Sequence, residues 1–147
     1  MIVQPDIELA SYLTNKITVG LAGGGTQKVK VYSDWERPTN ELPDDFLVVF
    51  INGDIGGVGM AADFARGGII LNFYCKMNDD GSVKKKRVTK ILSQLYENLP
   101  NGLKTENYIF EYIPNRFVTP TTPNQTSGYS VTSLNFNWHT INNFNKS

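Results

Sequence analysis

His139 is the only histidine and Cys75 the only cysteine in a chain of 147 residues, and this pair limits the chemistry the chain can offer. A Ser-His-Asp triad would have to be assembled around His139, yet no G-x-S-x-G elbow accompanies it, and its place on the polar side of a strand predicts a surface residue. One histidine and one cysteine exclude a metal centre of ordinary His or Cys spacing. Cys75 falls on the inward side of an alternating strand, which predicts a small buried hydrophobe instead of a reactive thiol. The acidic pairs Asp44-Asp45 and Asp79-Asp80 stand at segment boundaries, where carboxylates cap and turn the chain. Asp79-Asp80-Gly81-Ser82 lacks the further ligands and closing Glu of a calcium loop. Gly23-Gly24-Gly25 would cradle a phosphate only with a strand before it and a helix opening on Lys-Ser or Lys-Thr after it. Neither is present, so it reads as a turn. The expectation is a protein without enzymatic activity, cofactor or metal.

Lys84-Lys85-Lys86-Arg87 is the one cluster that local physics disfavours. Four cations at the start of a helix oppose its macrodipole, each by roughly 0.3 to 1 kcal/mol at low salt. Asp79, Asp80 and Ser82 offset part of that cost. The cluster is either a solvated helix face or a contact for DNA or for an acidic partner surface. Specific nucleic-acid readers are not indicated, since no helix-turn-helix, zinc-finger or RNP-type motif occurs.

The elements that must position these groups follow from periodicity. Ile69, Leu71, Phe73 and Cys75 share one face of a strand, with Ile70, Asn72, Tyr74 and Lys76 on the other. After the turn at Asn78 to Ser82, Val88, Ile91, Leu92, Leu95 and Leu99 form a single helical stripe, stopped by Pro100-Asn101-Gly102. The apolar run Phe46 to Ile51, rich in β-branching, predicts a strand covered on both faces. On this reading Val48, Phe73, Leu92 and Leu95 share one core. Pro5 opens a short helix over Asp6 to Thr14. Ile17 to Leu21 is β-branched but interrupted by glycine, and Lys28 to Ser33 alternates as a half-exposed strand. Pro38 to Asp45 is a polar connection. Tyr108 to Ile113 and Tyr129 to Thr140 alternate as strands, the latter with Leu134, Phe136 and Trp138 on one face. The sum is an α+β domain spanning 1–147, with a mainly antiparallel sheet of four to six strands against one long and one short helix.

Lys plus Arg and Asp plus Glu both number 14, so no global field steers nucleic acid or an anionic membrane toward the chain. No apolar run approaches about 18 residues, and the start lacks the regions of a secretion signal, which predicts a soluble chain with no membrane partner. At this length a single domain buries roughly 70% of its unfolded surface and needs no disulfide or metal to fold.

Gly53 to Gly68 is too glycine-rich for a helix and too apolar for a solvated loop. It reads as a subunit contact through Ile55, Val58, Met60 and Phe64, or as a long hairpin arm packing on its own sheet. Residues 114–128, punctuated by Pro114, Pro120 and Pro123, read as an exposed loop, and 141–147 as a flexible tail.

This order, with its glycine-rich segment, the strand Gly68 to Cys75, the helix Val88 to Leu99 and the closing strand Tyr129 to Trp138, resembles the tail-terminator and tail-completion proteins of long-tailed bacteriophages. The resemblance lies in layout and covers roughly Asp6 to Thr140. It implies a virion subunit made in the host cytoplasm, with no active site, that forms a homo-oligomeric ring, commonly a hexamer. The ring would cap the tail tube and join it to the head connector or stopper protein, and Lys84, Lys85, Lys86 and Arg87 would face passing DNA or an acidic partner. Two other classes fit the same pattern: a related neck or minor capsid protein, and a small cytosolic binding module or enzyme built around a concave pocket.

Overall fold

The computed structural model describes residues 4–21, 23–34, 42–57, 65–113 and 128–141, with residues 52–57 described by their backbone alone. The elements run α1 (Pro5–Leu13), β1 (Thr18–Gly20), β2 (Thr26–Lys28), β3 (Lys30–Ser33), β4 (Asp45–Gly57), β5 (Ala65–Lys76), α2 (Lys85–Asn98), β6 (Leu103–Lys104), β7 (Tyr108–Tyr112) and β8 (Tyr129–Thr140). Six strands form one sheet in the order β3-β4-β5-β8-β7-β6, and β1-β2 form a separate antiparallel pair. Every pairing in the large sheet is antiparallel except β3 with β4. The fold is α+β, with α1 of 9 residues and α2 of 14 as the short and long helices.

The period of two decides which residues meet the helices. Leu47 and Val49 of β4, Ile69, Leu71, Phe73 and Cys75 of β5, and Leu134, Phe136 and Trp138 of β8 lie in one cluster. Leu9 and Leu13 of α1 and Val88, Ile91 and Leu95 of α2 close over that face. Phe46 and Val48 point the other way and join Tyr74 and Val131 in a second cluster, where the rings of Phe46 and Tyr74 stack at 4.6 Å. The expected grouping of Val48 with Phe73 and Leu95 is therefore corrected: Val48 stands opposite Asn72, not Phe73, and takes Asn72's side of the sheet. Leu92 is also corrected, to a half-buried position at the margin of the main cluster. The expectation that the run Phe46 to Ile51 is covered on both faces holds for Phe46, Leu47, Val48 and Val49, all buried, while Phe50 and Ile51 are half-buried.

Lys28 to Ser33 is not one strand. Val29 separates two pairings: its N–H donates to the Ile17 carbonyl at 2.8 Å, β2 pairs with β1, and β3 moves on to pair with β4. Gly24 and Gly25 sit at φ +91° and +81°, the left-handed backbone that a tight turn needs, so the triple glycine, expected as a turn, lies in the turn of the β1–β2 hairpin.

Residues 53–57 and 65–68, expected in a subunit contact or a hairpin arm, belong to the long β4–β5 hairpin. Its register runs from Asp45 opposite Cys75 to Asn52 opposite Gly68, shifts, and resumes with Gly56 opposite Arg66. At the base of this arm Trp138 lies across β5, its Nε1 donating to the Gly68 carbonyl at 3.1 Å. A Cβ on Gly67 would stand 3.0 Å from three atoms of that indole, which is why the position is glycine. Val58, Met60 and Phe64 lie outside the described residues, as do 114–127 and 142–147, and Ile55 is placed by its backbone only.

Candidate functional site

The chain reaches α2 through a turn built from its own side chains. Asp80 Oδ1 accepts from the Ser82 N–H at 2.9 Å and from the Ser82 hydroxyl at 2.6 Å, while Asn78 Nδ2 donates to Ser82 Oγ at 2.9 Å. The Ser82 hydroxyl and amide hold the Asp80 carboxyl below its usual range. These bonds shape the approach but do not cap the helix, since Lys84 at the N-cap position makes no side-chain cap bond.

Arg87 leaves the cluster with which it is contiguous. Its Nη2 donates to Asp45 Oδ2 at 2.6 Å, and its Nε reaches Oδ1 and Oδ2 at 3.0 and 3.1 Å, the forked contact that guanidinium makes with carboxylate. Nη1 donates to the Gly20 carbonyl at 3.2 Å. The Asp45 side chain is 4% exposed and that of Arg87 30%. The hydrogen bond to Asp45 raises the Arg87 pKa, against a smaller opposing effect of burial. Arg87 thus fastens α2 to the start of β4 and the end of β1, a correction to its expected grouping with Lys84, Lys85 and Lys86 as an outward contact. Asp45 is not a boundary cap but the buried acceptor of this bridge.

Two turns along, Gln94 repeats the fastening with a neutral group. Its Oε1 accepts from the Thr18 N–H at 2.8 Å and its Nε2 donates to the Thr18 carbonyl at 2.7 Å, so the amide replaces a neighbouring strand along β1. Between Arg87 and Gln94, Ile91 of α2 is buried against Val19 of β1. Here a concavity of about 220 Å³ opens, lined by Val19, Gly20 and Ile91 with Lys86 and Lys90. A second, of about 390 Å³, shares Lys86 and Arg87 with it and extends past Lys84 and Lys85 to Val83 and Asn78. Lys85, Lys86 and Lys90 are exposed and Lys84 half-buried, and none of the four makes an ion pair among the described residues.

The other candidates do not join this site. Cys75 is buried, its thiol pushed up to about 12 by burial first and by the neighbouring Asp45 second. His139, expected at the surface, is half-buried: its side chain is 31% exposed and its Nδ1 stands 3.7 Å from Glu111 Oε1. Lys90, Gln94 and the bridging role of Asp45 were not visible in the sequence. Lys90 stands apart from the run of charges, and Asp45 and Gln94 are 42 and 76 residues from their partners Arg87 and Thr18. Glu8 was missed likewise: it accepts from the Thr105 hydroxyl, from the Asn107 N–H at 3.0 Å and from Asn107 Nδ2 at 2.6 Å, tying α1 to the β6–β7 turn.

No protein-family model matches the chain, and no curated protein matches it. Ten solved chains match it. One, whose designation carries no function, superposes with a TM-score of 0.53 over 97% of this chain and 98% of that one, at 10% sequence identity. At that identity the likeness extends to the fold alone.

Proposed function

We propose that this chain is a structural subunit of a long-tailed bacteriophage virion, forming a ring that terminates the tail tube and joins it to the head connector or stopper. The observation that carries the reading is the long, glycine-rich β4–β5 hairpin, whose strands continue beyond the register shift at Asn52 and Gly56. It stands in the order of elements on which the resemblance to the terminator and completion proteins rests: helix, strands, glycine-rich segment, helix, closing strands. The apolar residues Ile55, Val58, Met60 and Phe64 of the intervening segment are its contact with the next subunit. A head-to-tail contact of this kind closes into a ring when its rotation divides a full turn. The role is one of assembly, without a catalytic step.

Sedimentation of the wild-type chain and of a variant carrying Ile55→Asp and Val58→Asp tests the contact, with tail tubes supplied as template. Charge placed at a contact and not in the core abolishes the ring species and leaves the subunit folded by circular dichroism. A double variant that assembles as the wild type does refutes the assignment.

A further inference from the structure

We propose that the groove between β1 and the first two turns of α2 docks an acidic, partly apolar peptide segment of a partner protein. The groove has a floor and walls of different chemistry. Val19, Gly20 and Ile91 form an apolar floor, and Lys86 and Lys90, four residues apart on one helical face, stand beside it. Beyond Lys86 the second concavity continues the basic wall through Lys84 and Lys85. These four ammonium groups have no acidic partner among the described residues, and Lys84, Lys85 and Lys86 stand at the helix start, where the macrodipole disfavours cations. A carboxylate flanked by small apolar side chains fits both parts: its charge reaches Lys86 and Lys90, and its neighbours rest on the shallow floor, where Val19 and Ile91 are 9% and 1% exposed.

The same geometry argues against duplex DNA as the occupant. Arg87, the one forked donor here, is already spent on Asp45 and the Gly20 carbonyl. A concavity of about 220 Å³ admits a side chain and not a double helix. The chain carries 14 cationic and 14 acidic residues, so no net field gathers a polyanion, whereas a short acidic segment needs only the local charge. Recognition works through side chains, because the backbone groups of β1 facing α2 are occupied: Gln94 holds Thr18 and Arg87 holds the Gly20 carbonyl.

The inference is independent of ring formation and is tested on the unassembled full-length chain. The probes are a short synthetic peptide alternating Glu with Leu, its Gln-for-Glu counterpart, and a short DNA duplex, each titrated into ¹⁵N-labelled protein at physiological salt. The Glu peptide is expected to move the amide resonances of Val19, Gly20 and Ile91. Lys86→Ser with Lys90→Ser, at exposed positions, leaves the remaining spectrum intact and weakens binding about tenfold, while Lys28→Ser on β2 changes nothing. Equal binding of the Gln peptide, tighter binding of the duplex, or an unchanged affinity in the double lysine variant overturns the proposal. Peptide binding without rings removes the assembly reading alone, and rings without peptide binding remove this one alone.

Discussion

Removing Arg87 should unbalance the fold more than any other surface-reaching substitution. Arg87→Ala leaves the Asp45 carboxylate, 4% exposed, without its three charge-assisted hydrogen bonds. Breaking a fully buried pair costs about 3 to 5 kcal/mol, and losing a hydrogen bond to a charged group about 1.5 to 3. The Arg87 end is 30% exposed, so water enters where the guanidinium stood and softens the loss. A cost of about 2 to 3 kcal/mol results, a fall in Tm of roughly 5 to 10 °C for a domain of this size. Asp45→Ala costs less, because the freed guanidinium can turn to solvent. The double variant costs less than the sum, since neither group is then left stranded. Arg87→Lys recovers only part of the loss, as an ammonium cannot span both carboxylate oxygens and the Gly20 carbonyl. Urea melts of the four variants measure all of this. A cost below about 0.5 kcal/mol for Arg87→Ala, or strict additivity in the cycle, would mean that this bridge does not fasten α2 to β4.

Three further outcomes follow from the packing. Gly67→Ala should destabilise by about 1 to 3 kcal/mol, because the Trp138 indole that it meets at 3.0 Å is buried and hydrogen-bonded to Gly68; a neutral result in a thermal melt would mean the ring yields. Leu95→Ala should cost about 2 to 5 kcal/mol and Leu92→Ala clearly less, since Leu95 is 0% exposed and Leu92 lies at the margin; equal losses in urea would contradict the assigned helix face. The Cys75 thiol is raised from 9.0 to about 12, and the Tyr108 and Tyr112 hydroxyls from 10.0 to about 12. Acids that hold their protons longer folded than unfolded stabilise the fold fully below the unfolded pKa. That stability is lost as pH rises, from about 9 to 12 for Cys75 and from about 10 to 12 for the tyrosines. A thiol reagent that reacts with folded protein at pH 8 as fast as with the unfolded chain would contradict the burial of Cys75.

What the sequence made legible was whatever repeats locally. The stripe Val88, Ile91, Leu95, Leu99 and the alternation of Ile69, Leu71, Phe73, Cys75 state their element and inward face in a few residues, and both hold. Partner choice along the chain is a long-range matter. Lys28 to Ser33 reads as one strand, yet β2 takes β1 and β3 takes β4, because the Val29 amide is drawn to Ile17. The continuous apolar run at Phe46 to Ile51 hides its own alternation, so the assignment of Val48 to the helix side failed there and not on β5. At the candidate site the lysines announced themselves as a run, but the Arg87–Asp45 and Gln94–Thr18 contacts join residues far apart in sequence and carry no local mark. A cationic run shows charge density and not which of its members the fold will use itself.

The claim that this chain ends a phage tail stands on assembly, and electron microscopy of the purified protein with terminator-free tail tubes tests it most directly. A single ring with an axial opening is expected at one end of each tube, absent when Ile55→Asp and Val58→Asp are combined. Tubes that remain bare with the folded wild-type chain in excess, or that are decorated equally by the double variant, would contradict it.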